Sequence, residues 1–101
     1  MTSIRTNPID VSIIILNYNQ SKLSLDCVSS ILKVEKELSF ELIVVDNGSK
    51  LNEVKMLEKS DLKIHYKFVK SDKNGGFGYG NNLGAKHAKG IYLAFINNDT
   101  Y

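Results

Sequence analysis

The chain is poor in the residues that fix or tether extracellular folds. It has one cysteine, Cys27, and one proline, Pro8, in 101 residues. A single thiol cannot build an internal disulfide framework and fits a reducing compartment, so a cytoplasmic protein is expected. No apolar run approaches the length of about 18 residues that a membrane-spanning helix needs. Met1–Asp10 carries one arginine and no apolar core segment, so it does not read as a secretory leader. Charge of one sign is also scarce: 13 Lys and Arg against 11 Asp and Glu leave a net charge of +2. That is too mild to make nucleic acid or a membrane surface the main partner. There is no internal repeat and no low-complexity stretch.

What is present suits one globular domain: 43% hydrophobic and 24% charged residues. Residues 1–10 are expected to be a flexible lead-in and residues 11–101 a single folded unit. Val11–Leu16 and Glu41–Val45 are nearly continuous β-branched runs, the pattern of parallel strands covered on both faces. Ile91–Ile96 is a third apolar run, preceded by Gly90 and followed by polar turn residues. Lys63–Val69 alternates polar and apolar, which predicts a strand with one wet face at a sheet edge. Between the strands, Ser21 suits a helix N-cap and Leu23, Cys27 and Ile31 recur at spacing four, with Val28 and Leu32 beside them. Ser49 is placed to cap a short helix carrying Leu51, Val54 and Leu57. A glycine-rich loop over Lys70–Gly80 leads into a helix expected from Tyr79 to Lys89, with Gly90 as its C′ residue. Gly80, Gly84 and Ala88 fall four apart there, a stripe of small residues that lets a helix approach a sheet closely.

Alternating strands and helices predict an α/β fold, a Rossmann-like three-layer α/β/α arrangement around a mainly parallel sheet with right-handed crossovers. The polar clusters Asn17–Asn19, Asp46–Ser49 and Asn97–Asp99 then all lie at carboxyl ends of strands, where such sheets bind ligands. A glycine loop opening a helix attracts phosphate through free N–H groups and the helix dipole. Position alone therefore suggests a nucleotide or another phosphorylated ligand.

Asp99, just past a buried strand, is suited to hold Mg²⁺ or Mn²⁺, with Asn97 and Asn98 adding neutral oxygens. The same Asn-Asn-Asp-Thr stretch reads equally well as turn chemistry. Asp46 either accepts a base or ribose hydrogen bond or caps the next turn with Ser49. Tyr18 either stacks on a base or simply packs. Asn17 and Asn19 are ligand contacts or turn formers, and Asn47 stands next to Asp46 in the same position. His65 and His87 are expected in solvent without a metal-ligand partner, and Cys27 as inert packing. Lys70 and Lys73 flank the glycine loop within reach of a phosphate. Gly78-x-Gly80-x-x-x-Gly84 also mimics the fingerprint of an NAD(P)-binding oxidoreductase domain. Its last glycine falls one residue late, and the strand before it is the third of the chain.

Taken together, four segments resemble the N-terminal half of a family 2 glycosyltransferase with a GT-A type fold. They are VSIIILNYN (Val11–Asn19), ELIVVDNGS (Glu41–Ser49), NGGFGYGNNLG (Asn74–Gly84) and IYLAFINNDT (Ile91–Thr100). The resemblance implies a site for a nucleotide-diphosphate sugar, most simply a UDP- or dTDP-sugar. Tyr18 would pack on the base, with Leu16 and Asn17 beside it, and Asp46 would hydrogen-bond the base. Gly76 and Asn82 would line the nucleotide. Asn97-Asn98-Asp99 matches the family's DxD motif, with Asp99 as the metal carboxylate and Asn97 in place of the first aspartate. The resemblance further implies inverting, metal-assisted transfer to an acceptor hydroxyl on a glycan or lipid-linked acceptor, within polysaccharide biosynthesis. Rhamnosyl or galactofuranosyl transfer is the nearest branch. The general base normally lies beyond the DxD motif, so the 101 residues are expected to be a donor-binding half, inactive by itself. The sheet edge this leaves exposed would favour self-association; a non-catalytic assembly fragment is the alternative outcome.

Overall fold

The computed structural model describes residues 9–34, 37, 39–71 and 75–97, without the side chain of Phe77. Four strands, β1 (Val11–Asn17), β2 (Phe40–Asn47), β3 (Lys67–Ser71) and β4 (Tyr92–Asn97), form one sheet in the order β3-β2-β1-β4. Every pairing is parallel. The helices are α1 (Ser21–Val34), α2 (Leu51–Lys59) and α3 (Gly76–Lys86), with a 3₁₀ turn at Asp61–His65.

The continuous β-branched runs do what their composition predicts. Ile14, Ile15, Ile43, Val44 and Val45 are fully buried because the sheet is covered on both faces. On one face Ile15, Leu42 and Val44 pack with Val28 of α1, Leu57 of α2 and Tyr66. On the other, Ile14, Leu16, Ile43 and Val45 pack under Leu83 and Ala85 of α3. Handedness explains the division. The chain steps outward from β1 to β2 to β3 through α1 and α2, then reverses through α3 to place β4 on the far side of β1. A right-handed crossover in the reversed direction must run over the opposite face. The small-residue stripe is what admits α3. A Cβ on Gly84 would stand 2.6 Å from Ile14 Cγ2 and 3.0 Å from Val45 Cγ2, and one on Gly80 would collide with a methyl of Leu16.

Several local expectations are revised. Residues Lys63–His65 belong to the 3₁₀ turn, where Ser60 Oγ accepts from Leu62 N at 3.0 Å; only Lys67–Ser71 is strand, at the sheet edge as expected. Tyr66, on the apolar side of the alternation, is core as expected, its hydroxyl donating to Leu57 O at 2.5 Å, whereas Ile64 on that side is 86% exposed in the turn. Leu23 is 50% exposed, because the inner stripe of α1 runs through Ser21, Ser24 and Val28. Ser21 donates to Glu53 O at 2.8 Å instead of capping, and the N-cap of α2 is Lys50 rather than Ser49. Helix α3 begins at Gly76 and is capped at His87, a turn before Gly90. Gly90 is small for another reason: its N–H donates to Ser12 Oγ at 2.7 Å, and a Cβ there would sit 2.5 Å from Ser12 N. Residues 1–8 of the expected lead-in lie outside the described residues. Among those described, no helix is long and apolar enough to cross a membrane.

Candidate nucleotide site at the carboxyl edge of the sheet

The order β3-β2-β1-β4 reverses direction at β1, so the switch point opens at the carboxyl ends of β1 and β4. Leu16 is the register partner of Asn97 there, and Asn17 that of Asp46. The parallel sheet thus brings the predicted polar ends of β1, β2 and β4 to one edge.

Asn17 is the centre of this edge and is fully buried. Its Nδ2 donates to Asp46 Oδ1 at 3.0 Å and lies 3.2 Å from Ser21 Oγ and 3.4 Å from Ser49 Oγ. Its Oδ1 accepts from Ser24 Oγ at 2.7 Å. Asp46 is 1% exposed, and its second oxygen accepts from Ser49 N at 3.0 Å. Asn19 takes the left-handed conformation, φ 55°, which Asn tolerates better than most residues. Its N–H donates to Ser49 Oγ at 2.8 Å and its Oδ1 accepts from Lys50 N at 2.8 Å. Both asparagines thus tie the end of β1 and the loop after it to the end of β2 and the loop that follows. Tyr18, between them, is 37% exposed.

The glycine loop is fastened to the same edge. Asn47, nearly buried, donates through Nδ2 to Gly76 O at 3.2 Å and accepts from Gly75 N at 3.4 Å. Gly76, with φ +85°, allows the chain to turn into α3, whose N-cap Gly75 supplies no side-chain hydrogen bond. The cap residue itself, a glycine, has no side chain to offer to the first N–H groups of α3.

Other candidates fall elsewhere. The Leu16 side chain is buried against α3, leaving only its backbone for a ligand. Asn82 is exposed two residues, about 200°, around the helix from Gly80, so it faces away from the sheet. Lys70 pairs with Glu58 at 2.9 Å, and Lys73 lies outside the described residues. Cys27 packs against the α1–α2 core, where burial pushes its thiol up. His65 and His87 are exposed. Asn97 ends β4, while Asn98 and Asp99 lie outside the described residues. Among the described residues no group of three His, Cys, Asp or Glu is placed to hold a metal ion. Sequence reasoning missed Ser24 and gave Ser21 a capping role, whereas both serines point inward. Their spacing of three, continued by Val28, was the available signal.

Residues 12–101 match the family model for glycosyl transferase family 2. The chain belongs to that family. An uncharacterized glycosyltransferase of Rickettsia felis is 36% identical over 91 residues, 88% of this chain and 14% of the relative. The poly(ribitol-phosphate) beta-N-acetylglucosaminyltransferase TarS of Staphylococcus aureus is 30% identical over 92 residues, 89% of this chain and 16% of TarS. The crystal structure of S. aureus TarS 1–349 superposes with a TM-score of 0.70 at 28% identity, covering 92% of this chain and 28% of that one. The mannosyltransferase PcManGT of Pyrobaculum calidifontis, in complex with GDP-Man and Mn²⁺, gives 0.62 at 20% identity over 82% of this chain and 25% of that one, and supports the fold. This family 2 chain therefore has the GT-A fold and spans well under a third of these relatives' lengths. Membership removes the dinucleotide reading, and the topology agrees: the glycine loop follows the edge strand β3 rather than the central β1.

Proposed function

We propose that this family 2 chain holds the donor of an inverting sugar transfer, a UDP- or dTDP-sugar, for passage to a hydroxyl of a glycan or lipid-linked acceptor. The observation that carries the reading is the placement of a half-exposed aromatic, Tyr18, one residue on from the buried Asn17–Asp46 pair at the switch-point edge. Tyr18 supplies a stacking face for the base and Asp46 the acceptor at the floor for a base N–H. The α3 N-terminus, tied to the end of β2 by Asn47, offers N–H groups and the positive end of a helix dipole to the diphosphate.

Breaking the bond from the anomeric carbon to the diphosphate builds negative charge on the leaving group, so fixed dipoles aimed there favour departure. The described residues do not form a cation site on their own. Asp99, with Asn97 two residues before it, would hold Mg²⁺ or Mn²⁺, which when bound neutralises charge on the diphosphate. A divalent ion is in keeping with PcManGT, a protein of the same fold whose structure carries GDP-Man and Mn²⁺. The general base is assigned to no residue of this chain.

Calorimetric titration of UDP tests the reading. Tyr18→Ala should weaken binding about tenfold or more, the scale of one base–aromatic stack. Unchanged affinity would remove Tyr18 from the site.

A further inference from the structure

The polar network at the sheet edge is built to fix one carboxylate. Asp46 is 1% exposed, yet both its oxygens receive a hydrogen bond, from Asn17 Nδ2 at 3.0 Å and from Ser49 N at 3.0 Å. Asn17 is fully buried and both ends of its amide are engaged within the protein, its nitrogen by Asp46 and its oxygen by Ser24. Its orientation is set from behind. Ser24, also fully buried on the inner stripe of α1, donates to Asn17 Oδ1 at 2.7 Å. With the carbonyl oxygen engaged by Ser24, the amide nitrogen must point at Asp46; reversing it would set an acceptor against a carboxylate. A buried amide of this kind is costly to leave half-satisfied, so the relay has one favoured arrangement.

We infer that Ser24 and Asn17 are positioning residues for the donor's base: they act through Asp46, fixing its carboxylate so that the site discriminates among bases by their N–H groups. The inference rests on the donor-site reading above. It assigns Asn17 a role one step removed from the contact that its place after β1 suggested. It also gives Ser24, on a helix face that otherwise carries core residues, a part in specificity.

The geometry separates this role from plain stabilisation. A base such as uracil presents an imide N–H to an acceptor, whereas cytosine presents a ring lone pair at the corresponding position. A carboxylate free to turn loses the alignment that favours the first over the second. Ser24→Ala removes the anchor of the relay without touching the ligand; Ser24→Thr keeps a hydroxyl there.

The test is calorimetric titration of UDP and CDP into the chain and its Ser24→Ala, Ser24→Thr, Asp46→Asn and Ser24→Ala/Asp46→Asn variants. Ser24→Ala should weaken UDP about three- to tenfold, the loss of one net hydrogen bond, and lower the UDP-over-CDP preference by a similar factor. Ser24→Thr should recover most of both. In the Asp46→Asn background Ser24→Ala should add little, since it acts through that carboxylate. A Ser24→Ala protein that melts earlier but keeps wild-type affinity and preference would overturn the inference while leaving the donor site standing. Wild-type protein that binds neither UDP nor dTDP would overturn both. Should Ser24→Ala not fold, exchange of the Asn17 side-chain amide protons in the wild type decides the matter. It should slow on UDP binding, and unchanged exchange with UDP bound would overturn the positioning role.

Discussion

Gly84 lies where α3 crosses the centre of the sheet, and nothing larger fits without moving the core. A Cβ there would sit 2.6 Å from Ile14 and 3.0 Å from Val45, both fully buried β-branched side chains with little rotamer freedom. Gly84→Val should therefore destabilise the fold by about 1–3 kcal/mol, the usual range for overpacking, read as a lower urea midpoint at unchanged slope. A midpoint equal to wild type would mean that α3 does not lie this close. The stripe Gly80, Gly84, Ala88 was legible in the sequence because helical spacing is a local property. The work of Asn17 was not. Its four neighbours, Ser21, Ser24, Asp46 and Ser49, come from a helix, a strand and the loop after that strand, and whether an asparagine at a strand end faces a ligand or the interior is decided by what packs over it. For Asp46 the turn-capping reading is the one seen in the fold, its carboxylate accepting from the Ser49 backbone N–H.

Among elements, the strand runs were read almost to the residue, since continuous β-branched stretches have one good use in a doubly covered sheet. Helix starts and the third strand were less legible. Lys63–His65 alternates like a strand, but the Ser60 cap draws it into a 3₁₀ turn that buries Tyr66. At the opposite end of the sheet from the candidate site, the loop from α3 into β4 is held by Glu41 of β2. Its Oε2 accepts from Ser12 Oγ at 2.6 Å and from Lys89 N at 2.7 Å, and Oε1 lies 3.3 Å from Lys67 Nζ. Burial alone would raise the Glu41 carboxyl, but these hydrogen bonds and the Lys67 charge outweigh it and hold it below its ordinary value of 4.5. A carboxyl depressed in the folded state contributes stability that is present above its unfolded pKa and lost as pH falls through the folded one. Wild-type stability should thus decline below about pH 4.5, and Glu41→Gln should be less stable at neutral pH with a shallower acid decline. Parallel acid limbs in denaturation curves for the two proteins would contradict the clamp.

For the molecule as a whole, the reversal at β1 creates the candidate ligand edge and also leaves β4 at the margin of the described sheet. Tyr92, Leu93 and Phe95 are 69%, 44% and 48% exposed there, on both faces of a strand whose composition suits a covered position. An apolar strand edge of this kind pairs readily with another chain. The 101-residue chain studied alone should self-associate, with the sedimentation coefficient rising over the micromolar range and falling back on Phe95→Lys. A concentration-independent monomer would show that the edge is protected. The four segments that carried the resemblance could be read in the sequence because each is local. Their assembly at one edge needed the parallel register, which puts Asn17 opposite Asp46 and Leu16 opposite Asn97. The melting temperature with and without nucleotide tests that assembly most directly, since a ligand that binds only the folded state must raise it. UDP or dTDP at millimolar concentration with Mn²⁺ should raise Tm by several degrees, and NADH should not; a Tm indifferent to both pyrimidine nucleotides would contradict a donor site at this edge.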